Sequence, residues 1–299
     1  MMTSAEQSVF WRIIDCPSKC FPECSSILEV QQGNCVRQVP EPWSGNLSTA
    51  HFLIIGSNPA LDIKEVFPSK DIFYSKWAPV LYGSASTSLW NDPKVLVEDF
   101  FDGRFGSATC GACPGNPVYV RYANSNFEVL KHSFASASLQ RAQNPYWLTY
   151  LNICNVIAKV LGIKRDEDSL DFAVTDIVHC KSSRQIGVLK ALKPCLSHTK
   201  DIVDLFLNEK CDTEPIIILV GATANKEYVA KTLFNKPPIH SIIVGDYPHK
   251  SGVSPKGEIS MKLYQLNGRP YRVYYNIPAP SPANRANRPI SLYGQIIKW

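Results

Sequence analysis

The sequence has no apolar run approaching the roughly 18–20 residues that a membrane-crossing helix needs, so no membrane span is expected. Met1 to Phe10 lacks the basic stretch followed by an apolar stretch that marks a secretory leader. The chain is therefore expected in the cytoplasm, nucleus or nucleoid rather than outside the cell. It has no internal repeat and no low-complexity tract, which sets aside repeat and disordered architectures. Net charge is also small. With 31 Lys and Arg against 26 Asp and Glu, the balance is +5. That permits a polyanionic partner without demanding one. What is present is 299 residues, 45% of them hydrophobic. This is enough for one sizeable core and fits a single α/β domain over 1–299 carrying insertions, read as a monomer.

The ten cysteines are the most informative feature. An intracellular chain should hold few disulfides, so clustered cysteines point to metal or redox chemistry. Cys16, Cys20, Cys24 and Cys35 lie close together near the start. Cys110 and Cys113 form a CxxC, and Cys180 and Cys195 bracket the start of a helix. Cys154 falls in an apolar helical pattern with Leu151, Ile153, Val156, Ile157 and Val160 and reads as a core residue. Cys211 is a lone residue after a helix.

Residues 5–15 are expected to form a short helix ending at Cys16. Residues 16–50, rich in Cys, Pro, Gly and Ser, read as a Cys-rich N-terminal lobe that with the start of the chain spans 1–50. His51 to Ile55 is a continuous apolar run ending at Gly56, the pattern of a buried parallel strand. Residues 61–143 have little periodicity and read as a long irregular insertion. Regular alternation then begins. Helices are expected over 145–161, 185–207 and 222–234, with strands over 172–178, 215–220 and 239–244. A hairpin over 262–275 turns at Asn267-Gly268. This alternation predicts an α/β fold, a three-layer α/β/α arrangement around a central, mainly parallel four-stranded sheet.

Ligands of such sheets bind beyond the carboxyl ends of the strands. The segments there are Gly56-Ser57-Asn58-Pro59-Ala60, Thr175-Asp176-Ile177-Val178-His179-Cys180, Gly221-Ala222-Thr223-Ala224 and the stretch from Asn276 to Arg285. In their order and placement these segments resemble the uracil-DNA glycosylase superfamily. Phe52 to Ala60 looks like its first motif, and Pro278-Ala279-Pro280-Ser281-Pro282 like its second, usually His-Pro-Ser-Pro. Val174 to Cys195 followed by Ile216 to Ala224 is similar to the iron–sulphur branch. There a strand-end Cys and a second Cys some fifteen positions on precede a strand with Leu-Gly-Ala-Thr-Ala. The resemblance covers about 16–60 and 145–290.

The resemblance implies hydrolysis of an N-glycosidic bond in single- or double-stranded DNA. The sugar becomes oxocarbenium-like and the base leaves as an anion, so electrostatics dominates the chemistry. Asn58 would hold the attacking water, and Ser281 in the second motif would join it in catalysis. Gly56, Ser57, Pro59 and Asp176 would surround the flipped base. Phe73 or Tyr74 would stack on it, with Tyr74 the choice carried forward. Pro280, Pro282, Arg285 and Arg288 would contact DNA. Two positions depart from the family. Ala279 stands where a His usually supports the leaving base; His179 and His249 are the alternatives for that support. Asp176 stands where an Asn usually reads uracil. An ionised Asp only accepts hydrogen bonds, so it suits a base edge that presents an amino group, such as cytosine or a modified base.

In the iron–sulphur branch two N-terminal cysteines join the later pair around a four-iron cluster. By that resemblance Cys16, Cys20, Cys180 and Cys195 would be the ligands, with Cys24 and Cys35 as rivals and zinc as the alternative metal. Cys110 and Cys113 are left as a second half-site or a redox pair. A nucleic-acid binding or sensing protein with the reaction lost is the second reading, favoured by Ala279 and Asp176. A metal-dependent hydrolase or redox protein using the CxxC is the third, and it leaves both loop motifs unexplained.

Overall fold

The structure, a computed structural model, describes residues 3–14, 16, 21–33, 40–43, 45, 47–58, 145–165, 171–180, 182, 185–210, 213–248, 257–279 and 289–297. These residues belong to two compact units. One draws on segments 1–45, 57–137 and 175–205, the other on 46–56, 138–174 and 206–299.

The first unit opens with helix α1, Ser4–Ile14. Its start is a reciprocal capping box. Thr3 N donates to the Glu6 carboxylate at 2.6 Å and Glu6 N donates to Thr3 Oγ1 at 3.2 Å. A single 3₁₀ turn, Pro22–Cys24, leads directly into α2, Ser25–Gly33. The chain returns to this unit through the last residues of a strand and most of helix α4, Val188–Asn208. Gly187, just before α4, has φ +78°. A Cβ there would stand 2.8 Å from Ile27 Cγ1 and 3.0 Å from Ile27 N, so the residue is Gly because α2 packs against its bare backbone.

The second unit holds the sheet. Its strands are β1 (Phe52–Gly56), β2 (Phe172–Asp176), β3 (Ile216–Val220), β4 (His240–Tyr247), β5 (Gly257–Leu266), β6 (Arg269–Ile277), β7 (Ile290–Leu292) and β8 (Gln295–Ile297). The helices are α3 (Pro145–Leu161), α5 (Gly221–Ala224) and α6 (Glu227–Phe234). The spatial order of the strands is β2-β1-β3-β6-β5-β4-β7-β8. β1–β3 and β3–β6 pair in parallel, whereas β6–β5, β5–β4, β4–β7 and β7–β8 are antiparallel.

The fold is α/β, but the expected four-stranded, mainly parallel sheet is replaced by a mixed sheet of eight strands. The reason is connection length. Only nine residues separate β4 from β5, and two separate β5 from β6, too few for a crossover helix. The segment expected as a lone strand over 239–244 is therefore one arm of an antiparallel meander. Asn267 and Gly268 turn its second corner with φ +52° and +82°, as a two-residue hairpin of the right twist requires. Helix 222–234 is likewise broken, at Asn225 and Lys226, into α5 and α6.

Every residue of β1 and β3 is buried, as unbroken apolar runs in a covered parallel region should be. α3 lays Ile153, Cys154, Ile157 and Ala158 onto that core, which also includes Phe52, Ile54, Phe172, Ile218 and Tyr274. Cys154 is thus the core residue its helical spacing predicts, and burial pushes its thiol far above the ordinary range. Arg165, its side chain 4% exposed, pairs with Asp171, which also bonds His51 Nδ1 at 3.0 Å. The pair ties the approach to β2 to the start of β1. Among the described residues no helix is long and apolar enough to cross a membrane.

Candidate functional site

Just beyond β1, at Ser57, and at the end of β2 the chain enters the first unit, and there the two backbones are joined. Val178 N donates to Ser57 O at 3.0 Å. Asn58 is the next residue beyond one end of that bond, and Asp176 lies two residues before the other. Both are half-buried, as is Ser57, whereas Gly56 is fully buried. An amide side chain, Asn58, and a carboxylate, Asp176, thus lie on adjoining strand exits.

The β2 exit is fixed from behind by the segment 40–43. Thr175 Oγ1 donates to Pro42 O at 2.6 Å, and Glu41 N donates to His179 O at 2.8 Å. His179 Nδ1 lies 2.8 Å from Glu41 O. A carbonyl only accepts, so the ring carries its proton on Nδ1 and leaves Nε2 bare toward Thr199 Oγ1 at 3.4 Å. Thr199 from α4 lies 3.2 Å from the carbonyls of both Asp176 and Ile177. Burial, with His198 alongside, pushes the His179 pKa down to about 3. The ring is neutral and fully enclosed. It braces the β2 exit and is not placed to support a departing base, which answers one of the alternatives left open by Ala279.

Four buried cysteines belong to the same unit: Cys16, Cys24, Cys180 and Cys195. Cys16 follows α1, its N–H bonded to Ile13 O at 3.1 Å, and Cys24 closes the 3₁₀ turn with its N–H on Phe21 O at 3.0 Å. Cys180 follows His179, and Cys195 follows Pro194 inside α4. The Cys24 and Cys195 thiols are hydrogen-bonded to each other. This bond holds Cys24 below the usual thiol range and Cys195 above it. Burial and the charges of Cys180, Cys24 and Cys16 raise Cys195 further, so all three lie within electrostatic reach of it. Among the described residues no three His, Cys, Asp or Glu form a group able to hold a metal ion. The four thiols are a matched donor set of soft sulfur, without a formed coordination shell. That donor chemistry fits an iron–sulphur cluster, or zinc.

Of the residues singled out by sequence, the structure places Ser57, Asn58 and Asp176 on the adjoining exits of β1 and β2, and Cys16 and Cys180 in the same unit as Cys195 and within electrostatic reach of it. Pro59, Tyr74, Pro280, Ser281, Pro282, Arg285 and Arg288 lie outside the described residues, as do Cys20, Cys35, Cys110, Cys113, Cys211, Phe73 and His249. Ala279 packs its methyl against the sheet core. Cys24, a rival to Cys20 in the sequence, is buried in the same unit at the end of the 3₁₀ turn that Pro22 starts, whereas Cys20 lies outside the described residues. The brace formed by Glu41, His179 and Thr199 had no sequence signal, because its partners are more than a hundred residues apart on one side. A cavity of about 170 Å³ in the second unit, lined by Lys210, Asn267, Arg269 and Tyr271 among others, contains none of the candidate residues. Comparison with protein-family models, with curated proteins and with solved structures finds no match for this chain.

Proposed function

We propose that the chain is a DNA glycosylase that hydrolyses the N-glycosidic bond of a damaged or modified base, on a three-layer α/β/α version of the fold. The observation that carries the reading is the Val178–Ser57 bond, which sets the Asn58 and Asp176 strand exits side by side. Asn58 holds a water through its side-chain amide. It is no strong base, so turnover is slow and rests on charge stabilisation of the oxocarbenium-like sugar. Asp176 accepts a hydrogen bond from an exocyclic amino group and disfavours the O4 of uracil. The segment from Pro280 to Arg288 supplies the wedge and the phosphate contacts.

Cys16, Cys24, Cys180 and Cys195 are the residues that would hold a four-iron cluster, with zinc as the alternative. When bound, the group supplies a structural cross-link between α1, α2, the β2 exit and α4. Anaerobic purification with iron, sulfide and zinc analysis distinguishes the two metals.

Ala279 favours the second reading, a nucleic-acid binding or sensing protein with the reaction weakened, because an apolar methyl against the core cannot support a leaving base. A panel of single- and double-stranded oligonucleotides carrying different lesions tests both readings, with Asn58→Ala beside the wild type. Base release by the wild type that is lost in Asn58→Ala with DNA affinity retained is the glycosylase outcome. Equal binding by both proteins, with no release by either, is the sensing outcome.

A further inference from the structure

The exit of β6 carries a second device. β3 and β6 keep register as far as Ile218 opposite Tyr274, and then Val220 stands opposite Ile277. Two steps on β3 thus match three on β6, so β6 holds one extra residue. That residue gives Asn276 a φ of +63°, a left-handed conformation that Asn tolerates better than other side chains. The consequence shows in burial. Tyr274 and Ile277, three apart instead of two, both pack into the same core, and Ala279 follows them onto it. Without the bulge every side chain beyond it would change faces.

A bulge leaves a backbone group out of the ladder, and here the orphan has a partner. Asn276 N donates to Asn225 Oδ1 at 2.7 Å. The same amide donates through Nδ2 to Gly221 O at 2.7 Å and Leu219 O at 3.2 Å. One side chain therefore uses both ends of its amide to join the β6 bulge to the last turn of β3 and the first residue of α5. This also accounts for the break between α5 and α6, since Asn225 serves the bulge while its own N–H caps Gly221 O at 3.3 Å. Few other side chains could replace it. Asp lacks the donor, Ser and Thr lack the reach, and Gln adds a methylene.

We propose that Asn225 is a positioning residue: by holding the Asn276 bulge it sets the direction in which Pro278 and Ala279 leave the sheet toward the second motif. The proposal rests on the glycosylase reading for its link to DNA, and on the hydrogen bonds alone for the clamp. Two variants test it, read by amide hydrogen exchange and by single-turnover kinetics on lesion-bearing DNA. In Asn225→Ala the Asn276 amide exchanges at least about tenfold faster. KM for DNA rises about three- to tenfold while kcat at saturating DNA stays within about twofold, because the DNA-facing segment is misdirected and Asn58 is untouched. In Asn225→Asp an acceptor for the Asn276 amide remains, but a carboxylate oxygen replaces the donor facing Gly221 O and Leu219 O, so the Asn276 amide exchanges faster than in the wild type and no faster than in Asn225→Ala. Unchanged Asn276 exchange in Asn225→Ala overturns the clamp, and so does faster exchange in Asn225→Asp than in Asn225→Ala. A fall in kcat with KM unchanged overturns the positioning role. Should the wild type release no base from any lesion, the glycosylase reading fails by itself. The clamp is then still decided by Asn276 exchange, and the positioning role by the DNA affinity of Asn225→Ala.

Discussion

An Asp and an Asn differ by one polar group, and under the glycosylase proposal that difference at position 176 decides which base edge is read. The carboxylate accepts twice and donates nothing, whereas an amide would donate to O4 of uracil and accept from its N3–H. Asp176→Asn is expected to raise base release from uracil relative to amino-bearing pyrimidines by about tenfold or more, since an unmatched buried polar group is what a reading site rejects most strongly. The ratio of the two rates, taken on otherwise identical oligonucleotides, is the measurement; a wild type that already prefers uracil sinks the argument. His179 has a different role on the same strand exit. Its Nδ1–H is spent on Glu41 O and its ring is enclosed. His179→Ala leaves that carbonyl without its donor and opens a void beside Thr199, and is expected to cost about 2–4 kcal/mol in urea unfolding. A loss below about 0.5 kcal/mol would show that the brace is not formed.

At the scale of elements, helix docking decides which thiols meet. α2 rests on the bare backbone of Gly187, one residue before α4, and those two helices stand next to Cys24 and carry Cys195 respectively. Gly187→Ala puts a methyl into Ile27 and strains a φ of +78°. We expect a loss of about 2 kcal/mol or more, together with metal retention below that of the wild type, read by unfolding and by metal content per chain. Full metal content at full stability would mean that α2 does not depend on this contact. By comparison, Ile157→Ala on α3 empties part of the sheet core and is expected to cost about 2–5 kcal/mol with metal content unchanged. Elements such as α3 were legible before any coordinates because their apolar period is unbroken from Tyr150 to Leu161. Asn267-Gly268 was legible because only such a pair takes two positive φ angles in succession. The direction of β4 was not legible. Periodicity assigns a strand but not its neighbour, and His240 to Ile243 reads the same whether it pairs in parallel or antiparallel. The burial of Cys24 was hidden for a similar reason: where a short turn closes in a loop-rich stretch leaves no periodic signal.

For the whole molecule, the division into two units places the buried thiols apart from the core of the sheet. All four described cysteines of the thiol group are in the first unit, and every residue of the sheet core is in the second. The first unit has most of the 21-residue helix α4, a polar brace, and buried apolar side chains of its own, among them Phe10, Ile13, Ile27, Val188 and Leu192. The second has two fully buried strands and a helix laid across them, enough to hold itself. A metal held by the proposed thiol set should stabilise the two units unequally, because all four thiols are in the first. Removing that proposed metal by anaerobic chelation, or by Cys24→Ser, is expected to accelerate amide exchange in α1, α2 and the first turns of α4 by at least about tenfold. Exchange in β1, β3 and β6 should stay within about threefold of the holoprotein. Hydrogen exchange followed by mass spectrometry resolves the two sets of segments in one experiment. Uniform acceleration across both would mean that the cysteines support the sheet directly, and the assignment of a purely local cross-link would have to be abandoned. No change in either set would mean that the four thiols hold no group that matters to folding, and Cys24 would then be an ordinary buried residue whose contact with Cys195 is packing alone.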